Sequence, residues 1–362
     1  MSLHIRRRPL TDTFDTALHP VLERVYRGRF IQSAEQLNTG ARALLHYRDL
    51  LGCDKAAARI AEAIIEQQPI TIIGDFDADG ATSTALCMLA LGQMGATRLD
   101  YLVPNRFDFG YGLSPQIVEV AAERGTPLII TVDNGISCHA GVQRANELGM
   151  EVIVTDHHLP GETLPAATAI VNPNQPDCHF ASKNLAGVGV AFYLMLALRA
   201  ELEGRDWFTR QGLRVPNLAN LLDIVAVGTV ADVVPLDQNN RILVHQGLQR
   251  IRAGQCRPGI TALLDVAQRH ASRLTATDLG FVIGPRLNAA GRLDDMAAGI
   301  ECLLCSDTME ARARATELDR LNQQRRTIEQ EMKQQAQETL ASVQLDSSAP
   351  PDAIVLYDEH FH

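Results

Sequence analysis

Eight residues able to bind a cation sit at the ends of apolar runs in this chain. The first three are Asp75, Asp77 and Asp79, on alternate positions of Ile70-Thr-Ile-Ile-Gly-Asp-Phe-Asp-Ala-Asp-Gly-Ala-Thr82. Three ionised carboxylates this close repel one another, and a bound cation is the economical way to hold them at neutral pH. An Asp-Gly turn with a helix-capping Asp accounts for one or two of them, but not for three converging. Asp133, in Asp133-Asn-Gly, follows the run 128–132, and Asp156, His157 and His158 follow the run 151–155. Asp232 ends the apolar stretch 217–230, where a carboxylate needs a partner. Alone, Asp133-Asn-Gly is an ordinary turn and the two histidines a loop pair; their joint occurrence at successive strand ends carries the weight.

Oxygen donors dominate this set, with one or two imidazoles and no thiolate. That favours Mg²⁺ or Mn²⁺, and the imidazole leans the choice towards Mn²⁺. The acids suffice for two ions, which in such sites lie roughly 3.5–4 Å apart and serve phosphoryl chemistry. One ion would activate the attacking water and the other would stabilise charge on the scissile phosphate.

The elements that must position these groups are legible as short β-branched runs alternating with helices. Strands are expected at 70–73, 99–103, 128–132, 151–155 and 169–171, with helices at 55–67, 82–94, 115–123 and 139–148. Continuous Ile/Val/Leu runs of this kind mean an α/β fold with a parallel sheet covered by helices on both faces. Ligands of such sheets collect beyond the carboxyl ends of the strands, where these residues lie. A helical region follows. Gly187-x-Gly189 lacks the strand, third glycine and Lys-Ser/Thr of a phosphate loop, so it reads as helix packing. The segment 284–292 reads as a tight loop whose Arg286, Asn288 and Arg292 either pair with Asp294 and Asp295 or hold phosphates. From 308 to 343 a Glu/Arg/Gln-rich helix with a narrow apolar stripe is longer than an ordinary globular helix, as domain-bridging helices are. Ala353-Ile-Val-Leu-Tyr357 reads as a new strand. The expected divisions are an appended segment 1–50 with two short helical patterns, 20–27 and 33–51; a catalytic domain 51–305; a connecting helix 306–345; and the start of a truncated domain at 346–362.

With 362 residues, 46% of them hydrophobic, the chain can bury a large core. A net charge of −10 excludes a generally basic coat but not a local groove for nucleic acid. Seven scattered cysteines suit a reducing compartment rather than a disulfide framework, and Cys302-x-x-Cys305 lacks the second pair of a zinc site. No apolar h-region follows the basic N-terminus and no run approaches a membrane span, so a cytoplasmic protein without membrane contact is expected.

Taken together, Gly74-Asp-Phe-Asp-Ala-Asp-Gly80, Asp133-Asn-Gly135, Asp156-His-His158 and Val230-Ala-Asp-Val-Val-Pro235 resemble motifs I to IV of the DHH phosphoesterase superfamily. Val103-Pro-Asn-Arg106, Gly110-Tyr-Gly-Leu113 and Gly284-Pro-Arg-Leu-Asn-Ala-Ala-Gly-Arg292 are similar to segments of its bacterial exonuclease branch, which degrades single-stranded DNA from the 5′ end. The resemblance runs from about residue 50 onward. It implies Asp77, Asp79, Asp133, His157 and Asp232 as ligands of two Mn²⁺ or Mg²⁺ ions, with Asp133 bridging. His158 would touch substrate phosphate or orient a ligand, and Asp156 would hold a histidine in its tautomer. Many relatives carry a His where this chain has Ile73, so Asp75 or water is expected to complete one ion's shell. Arg106, Arg286, Asn288 and Arg292 are expected on the DNA backbone, with Tyr111 stacking on a base or packing in its turn. The branch also implies single-strand-binding protein and helicase as partners. It further implies an associated domain and an OB-fold beyond residue 362, so that this chain alone would bind metal but cleave poorly. The alternatives are another DHH enzyme (oligoribonuclease, cyclic-dinucleotide phosphodiesterase or pyrophosphatase) or an inactive nucleic-acid-binding scaffold, which the intact acids argue against.

Overall fold

The structure is a computed structural model that describes residues 6, 9–10, 18–104, 111–293, 295–342 and 353–357. Its centre is a five-stranded parallel sheet: β1 (Ile70–Ile73), β2 (Leu99–Leu102), β3 (Leu128–Val132), β4 (Glu151–Thr155) and β5 (Ala169–Val171), in the order β2-β1-β3-β4-β5. The order reverses direction between β1 and β3, opening a crevice at their carboxyl ends, which is where open α/β sheets take ligands. Both ends carry carboxylates: Asp75 and Asp77 follow β1, and Asp133 follows β3.

Both faces of the sheet are apolar because the pleat alternates its residues between two cores. Ile70, Ile72, Leu128, Ile130, Val132 and Ile153 pack into the larger one. Ile73, Ile129, Val152 and Val154 pack into the smaller, against α4 (Pro115–Glu123) and α5 (His139–Glu147). The larger core is filled by α2 (Cys53–Ile65) and α3 (Ala78–Gln93), preceded by α1 (Pro20–Arg27) at the N-terminal side, and by α6 (Gly187–Gly204) and α7 (Trp207–Gln211). α8 (Leu222–Ala231) and α9 (Gln238–Arg252) extend it, as do α10 (Pro258–Val266) and α11 (Ala276–Asp278). A π-helical turn, Leu279–Ile283, then runs straight into α12 (Gly284–Leu293), followed by α13 (Ala297–Leu304) and α14 (Thr308–Ser342). On α14, Ala311, Ala315, Leu318 and Leu321 are buried, whereas Ile328, Met332 and Leu340 are half-buried.

The five expected strands and the helices between them are present. Three expectations are corrected. The segment 284–292 is helix α12, not a loop, since the π turn ahead of it delivers the backbone already helical. Residues 33–51 form three short 3₁₀ turns (Ala34–Leu37, Ala41–Ala43, Tyr47–Asp49) instead of a helix. Their carbonyls are claimed by α9: Gln238 Nε2 donates to Glu35 O, Arg241 Nη2 to Gln36 O and Gln246 Nε2 to Thr39 O. Ala353–Tyr357 forms no strand; it pairs with no other strand among the described residues, and an unpaired strand has no stability of its own. No helix among the described residues is long and apolar enough to cross a membrane.

Candidate metal centre

α3 begins at Ala78, four residues earlier than its apolar run suggests, because Asp77 caps it. Asp77 Oδ1 accepts from Asp79 N at 2.9 Å and Gly80 N at 3.0 Å, satisfying two of the helix's open donors. Asp79 is thereby placed in the first turn, pointing towards α6. There its Oδ2 accepts from Gly187 N at 2.6 Å and its Oδ1 from Val188 N at 2.9 Å. The positive end of α6 thus holds a buried carboxylate, a contact for which sequence offered only a Gly-x-Gly read as packing. Gly187 is required there, since a Cβ would lie 2.6 Å from Asp133 Cβ and Oδ1.

Asp133 leaves β3 in the left-handed region, φ 61°, which Asp tolerates better than most residues. Its neighbour Asn134 clips the crevice: Nδ2 donates to Ile73 O at 3.1 Å and to Val132 O at 2.9 Å, joining the ends of β1 and β3. The loop after β4 is pinned from β5, where Asn174 Nδ2 donates to His157 O and Asn172 Nδ2 to His158 O. Asp156 gathers this loop further by accepting from Ile136, His157 and His158 backbone N–H groups. Sequence gave Asn134, Asn172 and Asn174 no role of their own, because Ile73 O, His158 O and His157 O, the backbone atoms they bond, come near them only in the folded chain.

Asp79, His157 and Asp232 form one candidate ligand group, Asp133, His157 and His158 a second, and Asp75, Asp77 and Asp133 a third. Two clusters thus gather, one round His157 and one round Asp75 and Asp77, and Asp133 reaches both. In one, His157 Nε2 lies 3.1 Å from Asp133 Oδ1, 3.5 Å from Asp232 Oδ2 and 4.0 Å from Asp79 Oδ2. An octahedral Mg²⁺ or Mn²⁺ with bonds of about 2.1 Å places adjacent ligands about 3 Å apart and opposite ones about 4.2 Å apart, and these spacings match. His157 Nε2, Asp133 Oδ1 and Asp232 Oδ2 are buried without a hydrogen-bond partner among the described residues, an arrangement a cation resolves. In the other cluster, one carboxylate oxygen each from Asp75, Asp77 and Asp133 lies within 4.8 Å of the others. Asp75 therefore joins the site, while Ile73 is fully buried in the smaller core.

Packing raises the proton affinity of these acids. Burial, with the Asp77 charge second, pushes both Asp75 and Asp79 up to about 7. Burial and then Asp79 push Asp232 up to about 7, and burial above all, reinforced by Asp79, carries Asp133 well above the usual carboxylate range. Burial lowers His157, keeping its imidazole neutral and able to ligate. His158 is pushed up to about 9, first by the 2.7 Å hydrogen bond between its Nδ1 and Asp156 Oδ1. Burial opposes the charge on Asp156, but the hydrogen bond and charge of His158 outweigh it and hold the carboxyl below its ordinary value. The histidine that Asp156 orients is thus His158.

The remaining expected site residues divide. Tyr111 is half exposed at the rim, edge-on to Phe76 and to His158, with its hydroxyl 3.4 Å from Asp133 O. Arg292 is exposed on the last turn of α12. Arg106 lies outside the described residues. Arg286 and Asn288, both half-buried, carry contacts within the protein that the sequence did not indicate. Arg286 Nη2 pairs with Asp319 on α14 at 2.7 Å while Nη1 donates to Val282 O. Asn288 Oδ1 accepts from Ala78 N at 2.6 Å, tying α12 to the start of α3. Gly291 completes that contact; a Cβ there would lie 1.9 Å from Phe76 O.

The model of the DHH family, N-terminal domain, matches residues 69–229, which include the sheet and every candidate ligand but Asp232. The single-stranded-DNA-specific exonuclease RecJ of Escherichia coli (strain K12) is 55% identical over 362 residues, which is 99% of this chain and 63% of that protein. A crystal structure of exonuclease RecJ bound to manganese superposes with a TM-score of 0.69 at 39% identity, over 79% of this chain and 69% of that one. RecJ of Thermus thermophilus in complex with Mn²⁺ superposes with a TM-score of 0.71 at 37% identity, over 86% of this chain and 43% of that one. The chain belongs to the RecJ family of DHH proteins. It spans less than two thirds of the length of the E. coli relative.

Proposed function

We propose that this chain hydrolyses single-stranded DNA as a metal-dependent 5′→3′ exonuclease, releasing mononucleotides in recombination and repair. The observation that carries the reading is that Asp133 reaches both the His157 cluster and the Asp75/Asp77 cluster at the β1/β3 crevice, with three candidate ligand atoms buried without a hydrogen-bond partner among the described residues. The substrate class is supported by the RecJ relatives, named for single-stranded DNA, and the 5′ direction by the family resemblance.

Asp79, Asp133, His157 and Asp232 would hold one Mn²⁺ or Mg²⁺ ion, and Asp75, Asp77 and Asp133 the second. When bound, the ions supply an acidified water and positive charge opposite the scissile phosphate. The chain's own groups do the rest. His158, protonated at neutral pH and fixed through Nδ1 by Asp156, has Nε2 left to donate to a phosphate oxygen. The Tyr111 ring offers a face to a base at the rim, worth roughly 1–3 kcal/mol when stacked. Arg292 and Arg106 would steer the backbone of the strand. A single-strand-binding protein and a helicase are the partners this role implies. The reducing cytoplasm is its place, supported by seven cysteines that are all free.

The test is to incubate end-labelled single-stranded DNA, duplex DNA, RNA and pyrophosphate with Mn²⁺ or Mg²⁺, and to repeat with Asp133→Ala. Slow release of mononucleotides from single-stranded DNA, lost in the variant, is the expected result for this chain alone. Preferential hydrolysis of RNA or pyrophosphate would move the chain to another DHH activity.

A further inference from the structure

The N-terminal segment bears no catalytic motif, yet it forms one wall of a groove whose opposite wall includes residues close in sequence to the metal centre. Side chains of α9 grip its carbonyls, and Asn239 Oδ1 accepts from Leu45 N at 3.1 Å. Between the two lies a groove of two lobes, about 520 Å³ and about 250 Å³, that share Gln36, Asp237 and Gln238 in their walls. The larger is lined by Arg29 and Arg241, the smaller by Asn239.

Two chain segments tie this groove to the catalytic crevice. Asn184, on its wall, is three residues before Gly187, which holds Asp79. Pro235, also on its wall, is three residues after Asp232. Three residues span at most about 11 Å, so each bounds the groove's distance from a ligand contact.

The polar groups are arranged for a nucleotide. Arg29 is exposed and makes no ion pair among the described residues, and Arg241 keeps further N–H donors beyond its bonds to Leu236 O and Gln36 O. Asp237, in the wall of both lobes, accepts from Ser182 Oγ and Asn240 N, and the Arg241 guanidinium beside it offsets its negative charge. Asn239 is 3% exposed, and although its Oδ1 also bonds Tyr193, its Nδ2 has no partner among the described residues. A buried amide donor without an acceptor calls for a ligand atom.

We propose that this groove is a second nucleotide site. It takes a phosphate of the bound strand in the arginine lobe and the edge of its base in the amide lobe. The site rests on the strand-hydrolysing reading and adds to it a length requirement: a strand long enough to reach the groove is gripped better than a short one.

The test is anisotropy of a labelled ten-residue oligothymidylate, without metal and across a salt series, for the unaltered chain, Arg29→Ala and Arg29→Lys. The same series is run with labelled thymidine monophosphate. Arg29→Ala is expected to weaken decamer binding about tenfold. It should also flatten the log–log salt slope by about 0.7, one phosphate contact on a single strand. Arg29→Lys should keep the slope, and the monophosphate should bind far more weakly than the decamer. Unchanged affinity and slope in Arg29→Ala, or no decamer binding by the unaltered chain, overturns the groove. Equal binding of the monophosphate overturns it as a strand site. Decamer binding together with Mn²⁺-dependent cleavage of RNA but not of DNA would sink the exonuclease reading alone, and the Arg29→Ala result would still decide the groove.

Discussion

At the scale of single residues, burial governs the site. Asp75, Asp79 and Asp232, each pushed up to about 7, hold protons in the metal-free protein at neutral pH, and a cation must displace them. Mn²⁺ affinity should therefore rise steeply between about pH 6 and 8, with protons released on binding; calorimetry in buffers of different ionisation enthalpy reads this directly. Asp75 stands beside Asp77 and Asp133, so Asp75→Ala should weaken one of two Mn²⁺ sites at least tenfold and spare the other. Unchanged affinity at both would remove Asp75 from the shell. The candidate ligands could be picked out in the sequence because each lies at or shortly after the end of an apolar run. The groups that aim them were not: Asn134, Asn172 and Asn174 act on backbone atoms whose proximity only the folded chain creates.

At the scale of elements, the site depends on two helices that supply no ligand. α6 brings Gly187 and Val188 N–H groups to Asp79, and α12 presses Gly291 and Asn288 against the turn between β1 and α3. Gly291→Ala forces a Cβ against Phe76 O and should cost about 1–3 kcal/mol in urea unfolding. It should also weaken the Asp75/Asp77 metal site, because the turn that carries both must shift. Stability and Mn²⁺ affinity both unaltered would show that α12 does not support that turn. Sequence read 284–292 as a tight loop, its arginines either paired with Asp294 and Asp295 or holding phosphates, because its Gly and Pro suit a loop. That Arg286 is bonded to Asp319 and Asn288 to Ala78 N depends on where α14 and α3 pack, which leaves no local mark.

At the scale of the whole molecule, the sheet was legible because strands buried on both faces read as unbroken apolar runs between helices. Strand order was not, and the order places the crevice between β1 and β3. Closing this acid-lined crevice has a consequence for stability. Carboxyls with folded pKa values raised to about 7 bind more protons folded than unfolded, so their contribution is fully present below about pH 4 and is lost as pH rises towards and through 7. The melting temperature of chelator-treated protein should accordingly fall between pH 5 and 8 relative to that of Asp232→Asn, whose position 232 cannot ionise. Saturating Mn²⁺ should reverse the fall, since the ion binds the folded state alone. A chelator-treated protein as stable at pH 8 as at pH 5, with no response to Mn²⁺, would mean the acids are not coupled in this way.

The proposed centre requires Asp133 to join two ion sites at the β1/β3 crevice. Anomalous diffraction at the manganese edge from crystals soaked in Mn²⁺ tests it most directly. Two peaks about 3.5–4 Å apart, both within ligand distance of Asp133 and one beside His157, are predicted. A single peak, or ions bound away from Asp133, would contradict it.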